Sequence, residues 1–454
     1  MMQPPQEPAE TMTREDAARI EVGETKVSPV LARAIVAAFV AAIVSASLAE
    51  LAWTRRAPDE GAAPAAWSVL AAVPSEVSVR LAELAAAGDV GWWARTVTAN
   101  RAVLAALSGF ERALQDESAI AGRLRPPTQL ATSRWLGAGN ERVYPGRDGW
   151  LFYRPDVEFL TGRGFLEPAE LARRATAATE WTAPIQSDPR TAILQLKSDL
   201  DARGIALVVV PTPVKPAIHP ERLSGRDASD PPQSPSYRAL LADLARAGVL
   251  VFDGSALLAA ETSGGAQYLA TDTHWRPEAM ELAAETLADF IRATVPLPAV
   301  PDPGFLVEPT EVRGVGDTAR MLDLPEGQSL YRPETVWLRR VLQADGTPWR
   351  PSRDADVLVL GDSFSNIYSL PSMGWGDSAG LVEQLSRALR RPADRIVQND
   401  QGAHATREML RQAIQQSGQG GGDRLAGTRV VVYQFAAREL AFGDWRAVAL
   451  PRAP

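Results

Sequence analysis

Only three histidines occur in the 454 residues, so chemistry that needs an imidazole base must draw on His219, His274 or His404. One of them has an acid two positions away, in Thr271-Asp272-Thr273-His274-Trp275. In an extended segment residues i and i+2 project to the same side, so Asp272 reaches the His274 ring, fixes its tautomer and stabilises the imidazolium. The matching nucleophile is Ser363 in VLVLGDSFS, just past an apolar run and behind Gly361. A serine hydroxyl is inert until a base takes its proton, and a strand-to-helix turn exposes it beside backbone N–H groups that can stabilise an oxyanion. Taken alone, Gly-Asp-Ser is equally an ordinary turn or helix cap, and Asp-x-His also serves as a structural pair or as two metal ligands. Metal fits less well, because no third histidine or carboxylate stands with the pair; neither a metal nor a cofactor is expected. His219, between Ile218 and Pro220, reads as packing or surface, and His404 in Gln401-Gly402-Ala403-His404 is the reserve base. The absence of cysteine excludes disulfides, thiolate zinc sites and a cysteine nucleophile.

Elements that can position these residues begin beyond Pro126. Apolar runs at 205–211, 249–253, 356–363, 395–399 and 428–435 alternate with helical patterns at 191–203, 237–247, 277–293, 379–390 and 406–414. Continuous Val/Leu runs separated by helices predict a mostly parallel sheet covered on both faces, a three-layer α/β/α domain whose ligands bind at the carboxyl ends of the strands. Residues 295–355 interrupt the alternation and read as inserted hairpins, and Gln415–Asp423 reads as a surface loop.

The composition, 46% hydrophobic and 22% charged, is that of a folded chain, and a net charge of -8 excludes nucleic-acid binding through phosphate neutralisation. Ala34–Ala49 carries no charge and lies between Arg33 and Glu50. With Trp53 at an interface, Val30–Trp53 predicts a single N-terminal transmembrane helix; a cleaved signal peptide and a buried Ala-rich helix are the alternatives. Arg14, Arg19, Lys26 and Arg33 precede the run, which biases the N-terminus to the cytoplasm and the body to the exported side. The expected organisation is a cytoplasmic tail and membrane anchor at 1–56, a linker and small helical neck at 57–130, and a catalytic domain at 131–454.

GRDGWLFY (146–153), VVVPTPVKPAIHPERL (208–223), TDTHW (271–275), VGDTARMLDLP (315–325), LVLGDSFS (358–365) and VVYQFAARELAFGDW (431–445) together resemble the alginate O-acetyltransferase AlgX/AlgJ-type proteins, which carry a permuted SGNH-hydrolase-like domain. The resemblance implies Ser363 as nucleophile, His274 as base and Asp272 as its orienting acid. It further implies acetyl transfer to an exported polysaccharide such as alginate in the periplasm, beside a multi-span membrane O-acyltransferase of the inner membrane that supplies the acetyl group. A carbohydrate esterase with the same residues and a noncatalytic polysaccharide-binding scaffold remain open. Asn399, Gly402 and Asn366 are candidate oxyanion donors, with Asn399 best placed at a strand end. Trp150, Tyr153 and Trp275, and with them Tyr368 and Trp375, could stack on sugar rings, although large aromatics more often pack in a core. Lys215 could meet an anionic glycan or stand solvated in its turn. Arg438 and Glu439 are expected to pair with each other.

Overall fold

The computed structural model describes residues 28–56, 66–86, 91–116, 119–177, 184–226, 230–399, 402–420 and 422–452. The chain divides into two compact units, Met1–Arg125 and Pro126–Pro454. In the first, the helices Ala66–Ala86 and Trp92–Asp116 pack on one another, the former running through Pro74 without a break. Pro29–Arg56 is one helix, yet among the described residues no helix is long and apolar enough to cross a membrane. The expected transmembrane span is therefore not found. Its uncharged stretch, Ala34–Ala49, is rich in alanine and shorter than the ~20 mostly apolar residues that a bilayer requires. Residues 57–65, at the start of the linker and neck expected at 57–130, and Arg14, Arg19 and Lys26 lie outside the described residues.

Among its described residues the second unit holds nine strands: β1 (Val143–Pro145), β2 (Leu151–Tyr153), β3 (Ala206–Thr212), β4 (Leu250–Val251), β5 (Leu306–Gly314), β6 (Glu334–Leu342), β7 (Val357–Gly361), β8 (Asp394–Val397) and β9 (Val430–Ala436). Five form one sheet in the order β4-β3-β9-β7-β8, with every pairing parallel. Side chains alternate across a strand, and the alternation divides the core in two. Val208, Val210, Val357, Val359, Val430 and Val432 face the helices Pro277–Thr294 and Leu381–Leu389. Leu207, Val209, Leu358, Leu360, Val431 and Tyr433 face Pro189–Asp201, Tyr237–Arg246 and Ala405–Gln419. This is the expected parallel α/β sheet covered on both faces.

The insertion is a single antiparallel hairpin, β5 against β6. Two local expectations fail. The run at 249–253 pairs over only two residues, and Gln415–Gln419, expected in a loop, extends the preceding helix because it contains no breaker before Gly418.

Candidate active site

β3, β9 and β7 end side by side, and a network of side chains binds their carboxyl ends together. Beyond Gly361 the chain turns through Asp362 into the short helix Ser363–Asn366. A Cβ at Gly361 would collide with the Ser365 side chain, so this turn requires glycine. Asp362 caps the helix by accepting from Phe364 N at 2.9 Å, and it also accepts from Ala436 N at 2.6 Å and Gln434 Nε2 at 2.9 Å. Gln434 accepts from Ser365 Oγ at 2.6 Å and Asp362 N at 3.1 Å and donates to Thr212 Oγ1 at 2.9 Å. The Ser363 N–H, at the open start of the helix, has no protein acceptor among the described residues.

His274 comes from a tight loop and not from the extended segment expected. Tyr268 and Trp275 bridge antiparallel, and Leu269 N donates to His274 O at 3.1 Å, so residues 270–274 form the tip. Asp272 folds its carboxylate back over that tip, as short acidic side chains do in turns, and Oδ1 accepts from His274 N at 3.1 Å. The same oxygen lies 2.6 Å from His274 Nδ1, and His274 Nε2 lies 2.9 Å from Ser363 Oγ. Asp272 Oδ2 accepts from Trp375 Nε1 and from Asp317 N, each at 2.9 Å. With Nδ1–H donating to the carboxylate, Nε2 is left as the acceptor that faces the serine.

Burial pushes the Asp272 carboxyl upward, but its hydrogen bond to His274, the imidazolium charge, the Trp375 indole and the Asp317 N–H outweigh it and hold the group well below the usual range. Burial also works against a charged His274, and Asp272, with Asp317 behind it, raises the imidazole above its ordinary 6.5.

Among the described residues, Asp272, His274 and Asp317 are a group that could close on a metal ion, so a third group, the Asp317 carboxylate, does stand beside the pair, contrary to expectation. The donor set does not suit one. Protein N–H groups hold both Asp272 oxygens, and Thr273 N at 2.7 Å and Thr273 Oγ1 at 3.0 Å hold Asp317 Oδ1.

The family model "SGNH hydrolase-like domain, acetyltransferase AlgX" matches residues 143–436, nearly two thirds of the chain. The chain belongs to this family. Its curated relatives include the probable alginate O-acetylase AlgJ of Pseudomonas aeruginosa, 29% identical over 248 residues that cover 52% of this chain and 58% of that protein. The Pseudomonas fluorescens protein of the same name is 30% identical over 255 residues, 53% of this chain and 59% of that one. The chain thus spans somewhat over half the length of these relatives. Among solved structures, the O-acetyltransferase domain of Pseudomonas putida AlgJ is similar with a TM-score of 0.48 and 22% identity, over 66% of this chain and 93% of that domain. Pseudomonas aeruginosa AlgX follows with a TM-score of 0.43 and 18% identity, over 65% of this chain and 61% of that one.

In this AlgX-family chain a small cavity of about 40 Å³ opens beside Ser363, lined also by Asn399, Gly402, Gln434 and Arg438. Asn366 lies outside it; its Nδ2 donates to Asn399 Oδ1 at 2.8 Å, which leaves the Asn399 Nδ2 free among the described residues. A wider groove of about 550 Å³ shares Gln398 and Asn399 with that cavity and carries Asn366, Arg353 and Arg395 in its walls. Arg395 is paired with Glu383 at 2.9 Å, whereas Arg353 has no partner among the described residues.

Several side chains read from sequence as sugar contacts are buried instead. Lys215 is fully enclosed: Nζ donates to the carbonyls of Leu151 at 2.5 Å, Ala270 at 2.9 Å and Asp272 at 3.0 Å, and burial pulls it down to about 8. It is a strut beneath the loop that carries His274, with no surface for a glycan. Trp275 donates to Phe364 O at 3.2 Å, Tyr368 to Trp275 O at 2.6 Å, and Trp150 packs on His219, so these rings belong to the core. Tyr153 is half-buried beneath the Arg438 guanidinium. Arg438 pairs not with Glu439 but with buried Asp156, at 2.9 Å, because the turn after β9 points it inward over Phe364. His219 accepts from Gln267 N at 3.0 Å and faces Glu221, a packing role, and His404 is not among the residues that line the Ser363 cavity. Sequence reading assigned no role to Asp317, Gln434 or Asp156; the signal for Asp317 was its place after glycine in the quoted VGDT stretch.

Proposed function

We propose that this AlgX-family chain is a polysaccharide O-acetyltransferase that works through an acetyl-Ser363 intermediate in the periplasm, with the apolar run Ala34–Ala49 directing it there. The observation that carries the reading is the 2.9 Å approach of His274 Nε2 to Ser363 Oγ, with Asp272 2.6 Å behind the other ring nitrogen. In the first half-reaction Ser363 Oγ attacks the acetyl carbonyl as its proton passes to His274 Nε2. The tetrahedral intermediate collapses with transfer of that proton to the departing group of the donor. In the second, a sugar hydroxyl gives its proton to Nε2 and attacks the acyl carbon; Ser363 Oγ leaves with the proton, and the sugar O-acetyl ester departs. Ser363, Gly402 and Asn399 line the cavity, which supports their backbone and amide N–H groups as the donors to the oxyanion. About 40 Å³ suits a group of a few heavy atoms, the size of acetyl.

The relatives named alginate O-acetylases point to a uronate polymer as acceptor, and the groove beside the cavity, with Arg353 in its wall unpaired among the described residues, supports an anionic chain lying there. A multi-span membrane O-acyltransferase is the proposed source of acetyl. The reading is tested by supplying acetylated enzyme with oligouronates. Discharge of acetyl onto the oligosaccharide faster than onto water is expected; discharge to water alone makes the chain an esterase.

A further inference from the structure

Asp317 lies 45 residues beyond Asp272 in sequence, yet it is built into the catalytic loop. Its N–H donates to Asp272 Oδ2 at 2.9 Å, its Oδ1 receives both donors of Thr273, and Thr318 Oγ1 and Ala319 N donate to Thr271 O at 2.5 and 3.2 Å. A Cβ at Gly316 would collide with the Thr271 carbonyl, so glycine is what lets this segment approach. The remaining oxygen, Asp317 Oδ2, is 3.7 Å from His274 Nδ1, on the nitrogen that Asp272 already faces. An orienting acid is fully served by Asp272; a second carboxylate at this distance adds charge to the imidazole.

We infer that Asp317 is a positioning residue of the active site, a second carboxylate whose charge joins that of Asp272 in stabilising the His274 imidazolium formed when Ser363 attacks. The inference rests on His274 acting as the base. Other charges face it: Arg438, held by Asp156, opposes the imidazolium; Lys215, beneath Asp272 and Asp317, is pulled down to about 8 and so loses its charge only above the range in which Asp317 titrates; Glu334 is engaged by the N–H groups of Ala270 and Thr271. Burial, then repulsion from Asp272, lifts Asp317 to about 6, so its charge is complete only above that pH.

The test is the pH dependence of Ser363 acetylation by p-nitrophenyl acetate, a half-reaction that needs no sugar. Asp317→Asn keeps an oxygen for Thr273 and the backbone N–H for Asp272 while removing the charge. Its acid limb is expected about half a pH unit or more below wild type, with the plateau rate reduced roughly three- to tenfold. Thr273→Val, which deletes the hydroxyl that holds Asp317 but not the charge, is expected to keep the wild-type limb. A limb unmoved in Asp317→Asn overturns the inference. Titration of His274 by NMR in the full chain carrying Ser363→Ala decides the matter independently of turnover. The imidazole signals are expected to show a second inflection near pH 6 from Asp317, and a single-step titration contradicts the inference even if the variant does not fold. If wild type acquires no acetyl group, the proposed function fails, while the NMR titration still decides the role of Asp317.

Discussion

In the proposed mechanism Ser363 attacks only while His274 is neutral, and Asp272 raises that histidine above its ordinary 6.5. The rate therefore increases as pH rises through the imidazole's own titration, because deprotonation creates the base. The acid limb of kcat/KM is expected above pH 6.5, measured with p-nitrophenyl acetate; a limb at or below 6.5 contradicts this electrostatic account. Asp272→Asn should lower kcat by about 10³–10⁴ with the fold intact, since the amide reverses the tautomer that Nδ1–H donation enforces. Circular dichroism alongside kinetics checks both halves of that expectation. The three residues were readable because Asp272 and His274 are local neighbours and Ser363 stands at the end of an unmistakable strand. Asp317 was not, because nothing in a linear sequence says that a glycine-aspartate 45 residues away closes on the same loop.

At the scale of elements, parallel strands appear as uninterrupted apolar runs because both faces are covered, and this is why the sheet was legible. The loop that carries His274 was not, since its shape depends on supports from elsewhere: Lys215 below, Glu334 and the Gly316–Asp317 segment alongside. Sequence alone does not separate a solvated turn lysine from an enclosed one, and so Lys215 was read as a glycan contact or a solvated turn residue, whereas it is enclosed. Lys215→Met leaves the carbonyls of Leu151 and Asp272 without their lysine donor, takes one of two donors from Ala270 O, and is expected to cost about 3 kcal/mol or more in urea unfolding. A change within ~0.5 kcal/mol would show that the lysine is not the strut described. Gly316→Ala should likewise lower activity by pushing the Asp317 segment away from Thr271, and restored activity in that variant would mean the contact is dispensable.

For the whole molecule, the Ser363 cavity and the wider groove lie next to one another, sharing Gln398 and Asn399, and in the proposed function a polymer in the groove presents a hydroxyl to acetyl-Ser363. Arg353→Glu is expected to raise KM for an oligouronate about two- to fivefold and to leave p-nitrophenyl acetate hydrolysis unchanged. Equal effects on both substrates would remove the groove from the account. The most direct test of the central claim is intact-mass and peptide-level mass spectrometry of the protein after brief exposure to p-nitrophenyl acetate. One acetyl group on Ser363, absent from Ser363→Ala and His274→Ala and lost on addition of oligouronate with appearance of the acetylated sugar, is the predicted result. Turnover with no adduct on Ser363, or an adduct that persists in His274→Ala at the wild-type rate, would contradict it.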